Sequence, residues 1–274
     1  MTDRPDEALV AASDAALAAT AERIAVVEHD GRRYVAKRLA DRPRRLSQAL
    51  FVRWLVKRVT GQALPMRTLL LSGAVSSVDY EAGRLEALAR AGVRVLRVVY
   101  RCERYLLLEH CGANLAIELE TWPAETWRSE LRRLAAELGA FHHAGQWHGA
   151  AQIKNLTQRG GHTYRIDFEE GFGERVPLAA AQAVDVALFL NSISLVGGVD
   201  EAEARVLFPD LLARYFEAHP EPQVRAALLN ALPWVAGLTR LAEPLRGLKH
   251  RGRQRKGIAR LVILVDALSA YLKG

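Results

Sequence analysis

Cysteine is scarce in this 274-residue chain, which holds only Cys102 and Cys111. Two thiols cannot build the disulfide framework that holds small secreted folds together, and no cluster of Cys and His has the spacing of a zinc site. We therefore interpret both cysteines as reduced structural thiols and expect a cytoplasmic protein.

Long apolar runs are also missing. The longest, residues 179–199, contains Asp185 and Asn191, which favours a buried helix over a membrane span. The first 23 residues carry five acidic side chains and no continuous apolar stretch, so we expect no signal peptide. Hydrophobic residues make up 50% of the chain and charged residues 25%, a composition that indicates a globular protein and excludes disordered and collagen-like chains.

The net charge of +7 is unevenly distributed. Residues 37–67 hold nine Lys or Arg and one acid, and residues 249–260 hold six Lys or Arg and no acid. Apolar side chains such as Trp54 alternate with the first basic group, and the apolar residues 258–268 follow the second. Two readings stay open: solvated helix faces, or helices that lie peripherally on an anionic membrane surface. The tryptophans are too scattered for a nucleic-acid stacking platform, so we do not expect nucleic-acid binding.

Apolar spacing divides the chain near residue 111 into a mixed front half and a mostly helical back half. In the front half, the patterns predict helices at 7–21, 46–59 and 80–91, a hairpin of strands 24–27 and 34–39 around an Asp30-Gly31 turn, and strands at 93–99 and 105–109. After a linker at 111–113, they predict helices at 124–144, 178–194, 201–218, 222–239 and 258–271, interrupted by a short strand pair around 156 and 164–166.

Residues 134–170 contain the most informative group of polar side chains. His148 follows a long predicted helix, Asn155 lies seven residues later, and Asp167 lies twelve residues beyond that, after a predicted Gly160-Gly161 turn. An Asn on a loop and an Asp at a strand end can hold Mg²⁺ together, because this ion prefers hard oxygen ligands.

The order of these residues resembles the protein-kinase-like superfamily, and most closely the small bacterial lipopolysaccharide kinases and the atypical RIO-like and KEOPS-associated kinases. His148 matches the catalytic-loop histidine, while Asn155 and Asp167 match the two metal-binding residues. Phe168 follows Asp167 as in the family motif, and Glu169 stands where most kinases have Gly.

Other landmarks of the resemblance occur in the expected order. Lys37, in a Val-Ala-Lys strand, matches the lysine that pairs the nucleotide phosphates, and Glu81 is its expected partner, with Glu86 as the fallback. Glu109 to Cys111 match the hinge that lines the adenine pocket, and Asp185 matches the buried aspartate that anchors the catalytic loop. The resemblance implies an α+β, two-lobed fold with a small antiparallel-sheet lobe at 1–110, carrying a basic insert at about 41–75, and a helical lobe at 111–274 with a basic C-terminal helix.

Two departures from the family pattern bear on activity. The aspartate that accepts the substrate hydroxyl proton is replaced by Ala150, and its role could fall to His148, Glu169 or Glu170. A Gly-rich loop is also missing before Ile24, so Lys37, the metal and backbone amides are the expected phosphate ligands.

The resemblance implies a phosphotransferase that uses ATP and Mg²⁺ to phosphorylate a hydroxyl, as lipopolysaccharide kinases do on a membrane glycolipid sugar at the inner face of the cytoplasmic membrane. Loss of the general base lowers a phosphotransfer rate by about 10²–10⁴-fold, and most of the catalysis lies in positioning and charge neutralisation. The alternative is a nucleotide-binding pseudokinase that acts as a regulatory or scaffold module.

Overall fold

The computed structural model describes residues 6–38, 50, 53–54, 56–58, 61, 76–242 and 252–273. Its helices are α1 (Glu7–Ala18), α2 (Ser76–Arg90), α3 (Leu115–Glu118), α4 (Ala124–His143), α5 (Leu178–Ile193), α6 (Glu201–Ala218), α7 (Pro222–Ala242) and α8 (Gly252–Lys273). Its strands are β1 (Ile24–His29), β2 (Arg32–Arg38), β3 (Val98–Arg101), β4 (Tyr105–Glu109), β5 (Ala113–Asn114), β6 (Leu156–Arg159) and β7 (His162–Arg165). The predicted α+β class is confirmed: a small antiparallel sheet precedes a mostly helical remainder.

The larger sheet has the antiparallel order β1-β2-β4-β3. Its first hairpin turns at Asp30 and Gly31, which both have positive φ (49° and 69°), as a two-residue turn between twisted strands requires. The register places Lys37 opposite Ile24 on one side and opposite Leu106 on the other. Lys37 therefore lies inside the sheet, between two paired strands.

A small apolar cluster attaches α1 to the larger sheet. Leu9 and Leu17 of the helix are buried against Val27, Tyr34 and Leu107 of the strands. Asp6 caps the helix by accepting a hydrogen bond from the Ala8 amide at 3.0 Å. The first helix thus covers one face of the sheet.

The main core surrounds α4. Its buried side chains recur every three or four residues and form one stripe: Trp127, Leu131, Leu134, Leu138 and Phe141. This stripe belongs to the same buried cluster as the apolar faces of α2, α5, α6 and α8. A Cβ on Gly139 would lie 2.6 Å from the Tyr215 carbonyl oxygen, so glycine allows α4 and α6 to approach closely.

The second sheet is a small antiparallel ribbon, β5-β6-β7, after the predicted linker. Its hairpin turns at Gly160 and Gly161, both with positive φ, as predicted. The predicted linker at 111–113 is wrong at its last residue, because Ala113 pairs with Gln158 in β5. The predicted lobe boundary falls between β4 and β5.

Two other expectations about the front half need correction. The predicted strand at 93–99 is wrong over most of its length, because β3 begins only at Val98 and Val95 instead bridges Arg165. Helix α1 ends at Ala18 rather than residue 21. Of the predicted helix at 46–59, the described residues 50, 53–54 and 56–58 are helical; its remainder, and most of the basic insert at 41–75, lie outside the described residues.

The C-terminal apolar segment does not form the interfacial surface that one of the two open readings predicts. Ile263, Leu264 and Leu268 of α8 are buried in the main core. Its apolar face therefore packs against protein, and the preceding basic residues 249–251 lie outside the described part of the chain. Among the helices of the described ranges, none is long and apolar enough to cross a membrane.

Candidate functional site

The site is centred on the buried ammonium group of Lys37. Its Nζ donates hydrogen bonds to both carboxylate oxygens of Glu81, each at 2.8 Å, and to Asp167 Oδ1 at 2.5 Å. Glu169 Oε2 lies 3.5 Å from the same nitrogen. One cation therefore joins three carboxylates from two distant parts of the chain.

Helix packing explains why Glu81 faces Lys37. Val78, Ala82 and Leu85 of α2 are buried in the main core, so the face of the helix that carries Glu81 is turned inward. Glu86, the fallback partner, makes none of the Lys37 contacts that the structure records for the described residues. The structure thus pairs Lys37 with the preferred residue of the two.

The pKa shifts of Lys37, Glu81 and Asp167 follow from their burial and their mutual contacts. Burial lowers the pKa of Lys37, but the surrounding carboxylates outweigh burial and hold it above its ordinary value. Burial raises the pKa of Glu81, and its contact with Lys37 only partly opposes that shift. Burial would also raise the pKa of Asp167, but Lys37 outweighs it and holds that pKa below its usual range. Lys37 is therefore charged and Asp167 ionised at neutral pH.

Asp167 lies two residues after the end of β7, next to Ile166. Its φ of 69° is a left-handed conformation that Asp tolerates better than most residues. The Ile166 amide donates to the Asn155 carbonyl at 3.0 Å, which joins the two candidate metal-binding segments through their backbones. Asn155 is buried, and its side-chain amide donates to the Ala150 carbonyl at 2.8 Å.

The loop that contains His148 and Ala150 is anchored by a buried carboxylate. Asp185 of α5 accepts hydrogen bonds from the amides of His148 at 2.5 Å and Gly149 at 2.8 Å. Gly149 has a φ of 89°, and a Cβ there would lie 2.9 Å from Trp147 and 3.2 Å from the Glu170 carbonyl. The backbone therefore needs glycine at this position and an acceptor at Asp185.

His148 is placed for structure rather than for proton transfer. Its ring stacks on Phe168 with a centroid distance of 4.2 Å, and its Nδ1 accepts from the Ala150 amide at 3.2 Å. Burial lowers the pKa of His148 to about 4, so the imidazole is neutral at pH 7. The buried ring braces the loop against the segment that carries Asp167.

The predicted hinge residues lie apart from the Lys37 cluster. Glu109 ends β4, where its carboxylate contacts Arg97 at 3.2 Å and Arg159 at 3.3 Å. Cys111 is buried and belongs to the main core. Glu109 and Cys111 make none of the contacts to the Lys37 cluster that the structure records for the described residues, and their adenine-binding role stays a prediction.

Sequence reasoning missed Arg23. Its guanidinium donates to both carboxylate oxygens of Glu169, one of them at 3.1 Å, and its Nε donates to the Arg38 carbonyl at 2.9 Å. Arg23 immediately precedes β1, and its partner lies 146 positions away, so the sequence offers no local signal for the pair.

Asp167 and Asn155 carry the type of donor atom that Mg²⁺ bound to a nucleotide prefers. Asp167 is ionised and partly exposed, Asn155 lies in an adjoining segment, and both offer the oxygen ligands that this ion prefers. Lys37 would face the phosphates, and the bound ion would neutralise phosphate charge. The metal-binding and catalytic roles of these residues stay predictions.

Comparisons with known proteins add little to this geometry. No protein-family model matches the sequence, and a search of curated proteins finds no match. The solved structure of WaaP in complex with acyl carrier protein is similar to this chain, with 19% identity and a TM-score of 0.44 over 82% of this chain and 86% of that chain.

Proposed function

We propose that the chain is a kinase-like phosphotransferase that uses ATP and Mg²⁺. The buried Lys37–Glu81 ion pair beside Asp167 is the observation that carries this proposal. A structural ion pair would need no second carboxylate at the same ammonium, whereas phosphotransfer needs a lysine for phosphates next to an aspartate for metal. Residues 1–110 and 111–274 would then be two lobes, with the nucleotide between them.

The proposed acceptor is a hydroxyl of a membrane glycolipid sugar. This choice follows the resemblance to lipopolysaccharide kinases and the concentration of positive charge in residues 37–67 and 249–260. Basic segments attract anionic head groups, so they would hold the protein peripherally at the inner face of the cytoplasmic membrane.

The residue that accepts the proton of the substrate hydroxyl is the least obvious member of the catalytic set. Ala150 has no basic group, His148 is buried and neutral, and Glu169 is held by Arg23. Glu170 is half-buried, and its Cβ lies 3.0 Å from the position a Cβ would take on Gly149. We propose that Glu170 accepts the proton of the substrate hydroxyl because it lies beside this loop. Catalysis then rests mainly on positioning and charge neutralisation.

Thermal unfolding with and without Mg·ATP tests the nucleotide site. A ligand that binds only the folded state, at about 100 times its Kd, adds about 2.7 kcal/mol, which raises Tm on the order of 5 °C. We expect this shift in the wild type and in the control Asp266→Asn, an exposed carboxylate on α8, but not in Asp167→Asn. An equal shift in Asp167→Asn would contradict the metal-nucleotide assignment.

A second function is favoured by one specific observation, the alanine at position 150. A nucleotide-binding pseudokinase would bind Mg·ATP and transfer nothing. The discriminating measurement is transfer of labelled γ-phosphate to dephosphorylated lipopolysaccharide by the wild type and by Ala150→Asp. Transfer by the wild type that Glu170→Gln slows by about 10²–10⁴-fold supports the enzyme. Transfer that appears only in Ala150→Asp supports the pseudokinase.

A further inference from the structure

The connection between α1 and β1 is held in place by Arg38, the residue after Lys37. Arg38 Nη1 donates to the carbonyls of Thr20 and Glu22, each at 3.0 Å, and Nη2 donates to the Leu17 carbonyl. Thr20 closes the turn by accepting from the Glu22 amide at 3.0 Å. Residues 19–23, here called the α1–β1 turn, therefore form an ordered connection whose last residue is Arg23.

Arg23 is fixed in orientation at the end of this turn. Its Nε is tied to the Arg38 carbonyl, and this leaves both terminal nitrogens to hold the carboxylate of Glu169. Burial lowers the pKa of Arg23, but Glu169 outweighs burial and raises it above its ordinary value. A pre-oriented guanidinium fork is the side chain best suited to two oxygens of one anion.

The Glu169 carboxylate lies between two cations. Arg23 contacts both of its oxygens, and the Lys37 ammonium lies 3.5 Å from Oε2. Carboxylate and phosphate present similar pairs of oxygens to a guanidinium. The position of this carboxylate is therefore one that a phosphate group would satisfy, next to the lysine assigned to nucleotide phosphates.

We infer that Arg23 is a phosphate-binding residue of the nucleotide site and that Glu169 fills its place when no nucleotide is bound. The inference rests on the proposed function. It replaces the expectation that Lys37, metal and backbone amides alone hold the phosphates, and it gives the α1–β1 turn the position that a Gly-rich loop has in other kinases. When the phosphate enters, Glu169 leaves the guanidinium.

Nucleotide binding must compete with Glu169 if this inference holds. Two positive and three negative side chains meet here, namely Arg23, Lys37, Glu81, Asp167 and Glu169. Removing the charge of Glu169 would leave the two cations less neutralised and more attractive to phosphate. Removing Arg23 would take away a charge-assisted pair of hydrogen bonds to phosphate.

Calorimetric titration with Mg·ATP and with adenosine tests both halves of the inference. We expect Arg23→Ala to weaken Mg·ATP binding by about 10- to 100-fold and to leave adenosine binding unchanged. Arg23→Lys should fall between the two, because it keeps the charge and loses the fork. Arg104→Ala, which removes an exposed arginine paired with Asp14, is the matched control and should bind as the wild type does.

Glu169→Gln supplies the second arm of the same titration. We expect it to tighten Mg·ATP binding several-fold, because the internal competitor has lost its charge. Weaker binding that appears only with Mg²⁺ present would instead make Glu169 a metal ligand and overturn the inference. Wild-type affinity for Mg·ATP in Arg23→Ala would overturn it too, while leaving the proposed function standing. If the wild type binds no nucleotide, both fail together.

Discussion

The buried imidazole of His148 makes the stability of the fold depend on pH in a calculable way. In the unfolded chain a histidine has a pKa of about 6.5, whereas in the folded protein burial lowers the pKa of His148 to about 4. Below pH 6.5 the unfolded state therefore binds more protons than the folded state, and stability falls as the pH falls. At about 1.4 kcal/mol per pKa unit, this single group should remove about 2 kcal/mol between pH 6.5 and pH 4.5.

The measurement is the free energy of unfolding in urea at pH 6.5 and at pH 4.5, for the wild type and for His148→Asn. Asparagine offers an oxygen near the place of Nδ1, so it can still accept from the Ala150 amide, but it does not titrate. The variant should be less stable at pH 6.5, because it loses the stacking on Phe168, worth about 1 kcal/mol. It should also lose about 2 kcal/mol less than the wild type on acidification.

A matched change on the protein surface separates this effect from a general response to acid. His143 is exposed, so His143→Asn shows what the loss of a surface histidine alone does to the pH dependence. Equal losses in the wild type and His148→Asn would refute the reasoning, since His148 would then be protonated as readily in the folded protein as in the unfolded chain. That result would also return His148 to the list of candidate proton acceptors.

Two further predictions concern the lysine cluster and a glycine. Lys37→Met should lose the Mg·ATP melting shift and about 3 kcal/mol of stability at pH 8, because it leaves the Glu81 carboxylate buried without its cation. In urea unfolding, the double variant Lys37→Met/Glu81→Gln should recover most of that stability. No recovery would contradict the ion-pair explanation. Gly112→Ala should destabilise the protein by about 3 kcal/mol, since a Cβ there would lie 1.8 Å from the Gln158 carbonyl oxygen at a φ of 88°. Gly161→Ala, at a similar φ but with nothing within 4 Å of the added Cβ, should cost about 1 kcal/mol. Equal losses of stability in the two variants would show that crowding plays no part.

Local sequence signals predicted most of the regular structure. The Asp30-Gly31 and Gly160-Gly161 turns are where two-residue hairpins were expected, because positive φ is a property of the turn residues themselves. The apolar period at 124–144 likewise predicted helix α4. The strand predicted at 93–99 was mostly wrong because an apolar run carries no information about whether a neighbouring strand is present to pair with it.

Local sequence patterns do not predict side-chain contacts between distant segments of the chain. The order of family motifs singled out Lys37, Glu81 and Asp167, and the structure brings their side chains together. Arg23 and Glu169 lie 146 positions apart and no family motif pairs them, so the sequence does not indicate their contact. In α8, the apolar pattern was correct, but periodicity does not say whether a lipid surface or another helix covers the apolar face.

The meeting of three carboxylates at one ammonium also restricts how this sequence can vary among relatives. A substitution that removes Lys37 leaves Glu81 buried with a charge that nothing balances, and one that removes Glu169 leaves Arg23 without its partner. Single changes at these positions therefore lower the stability of the fold, whereas paired changes can be tolerated. We expect the five positions of the cluster to covary in an alignment of homologues, so that lineages keep the whole set or replace it as a unit.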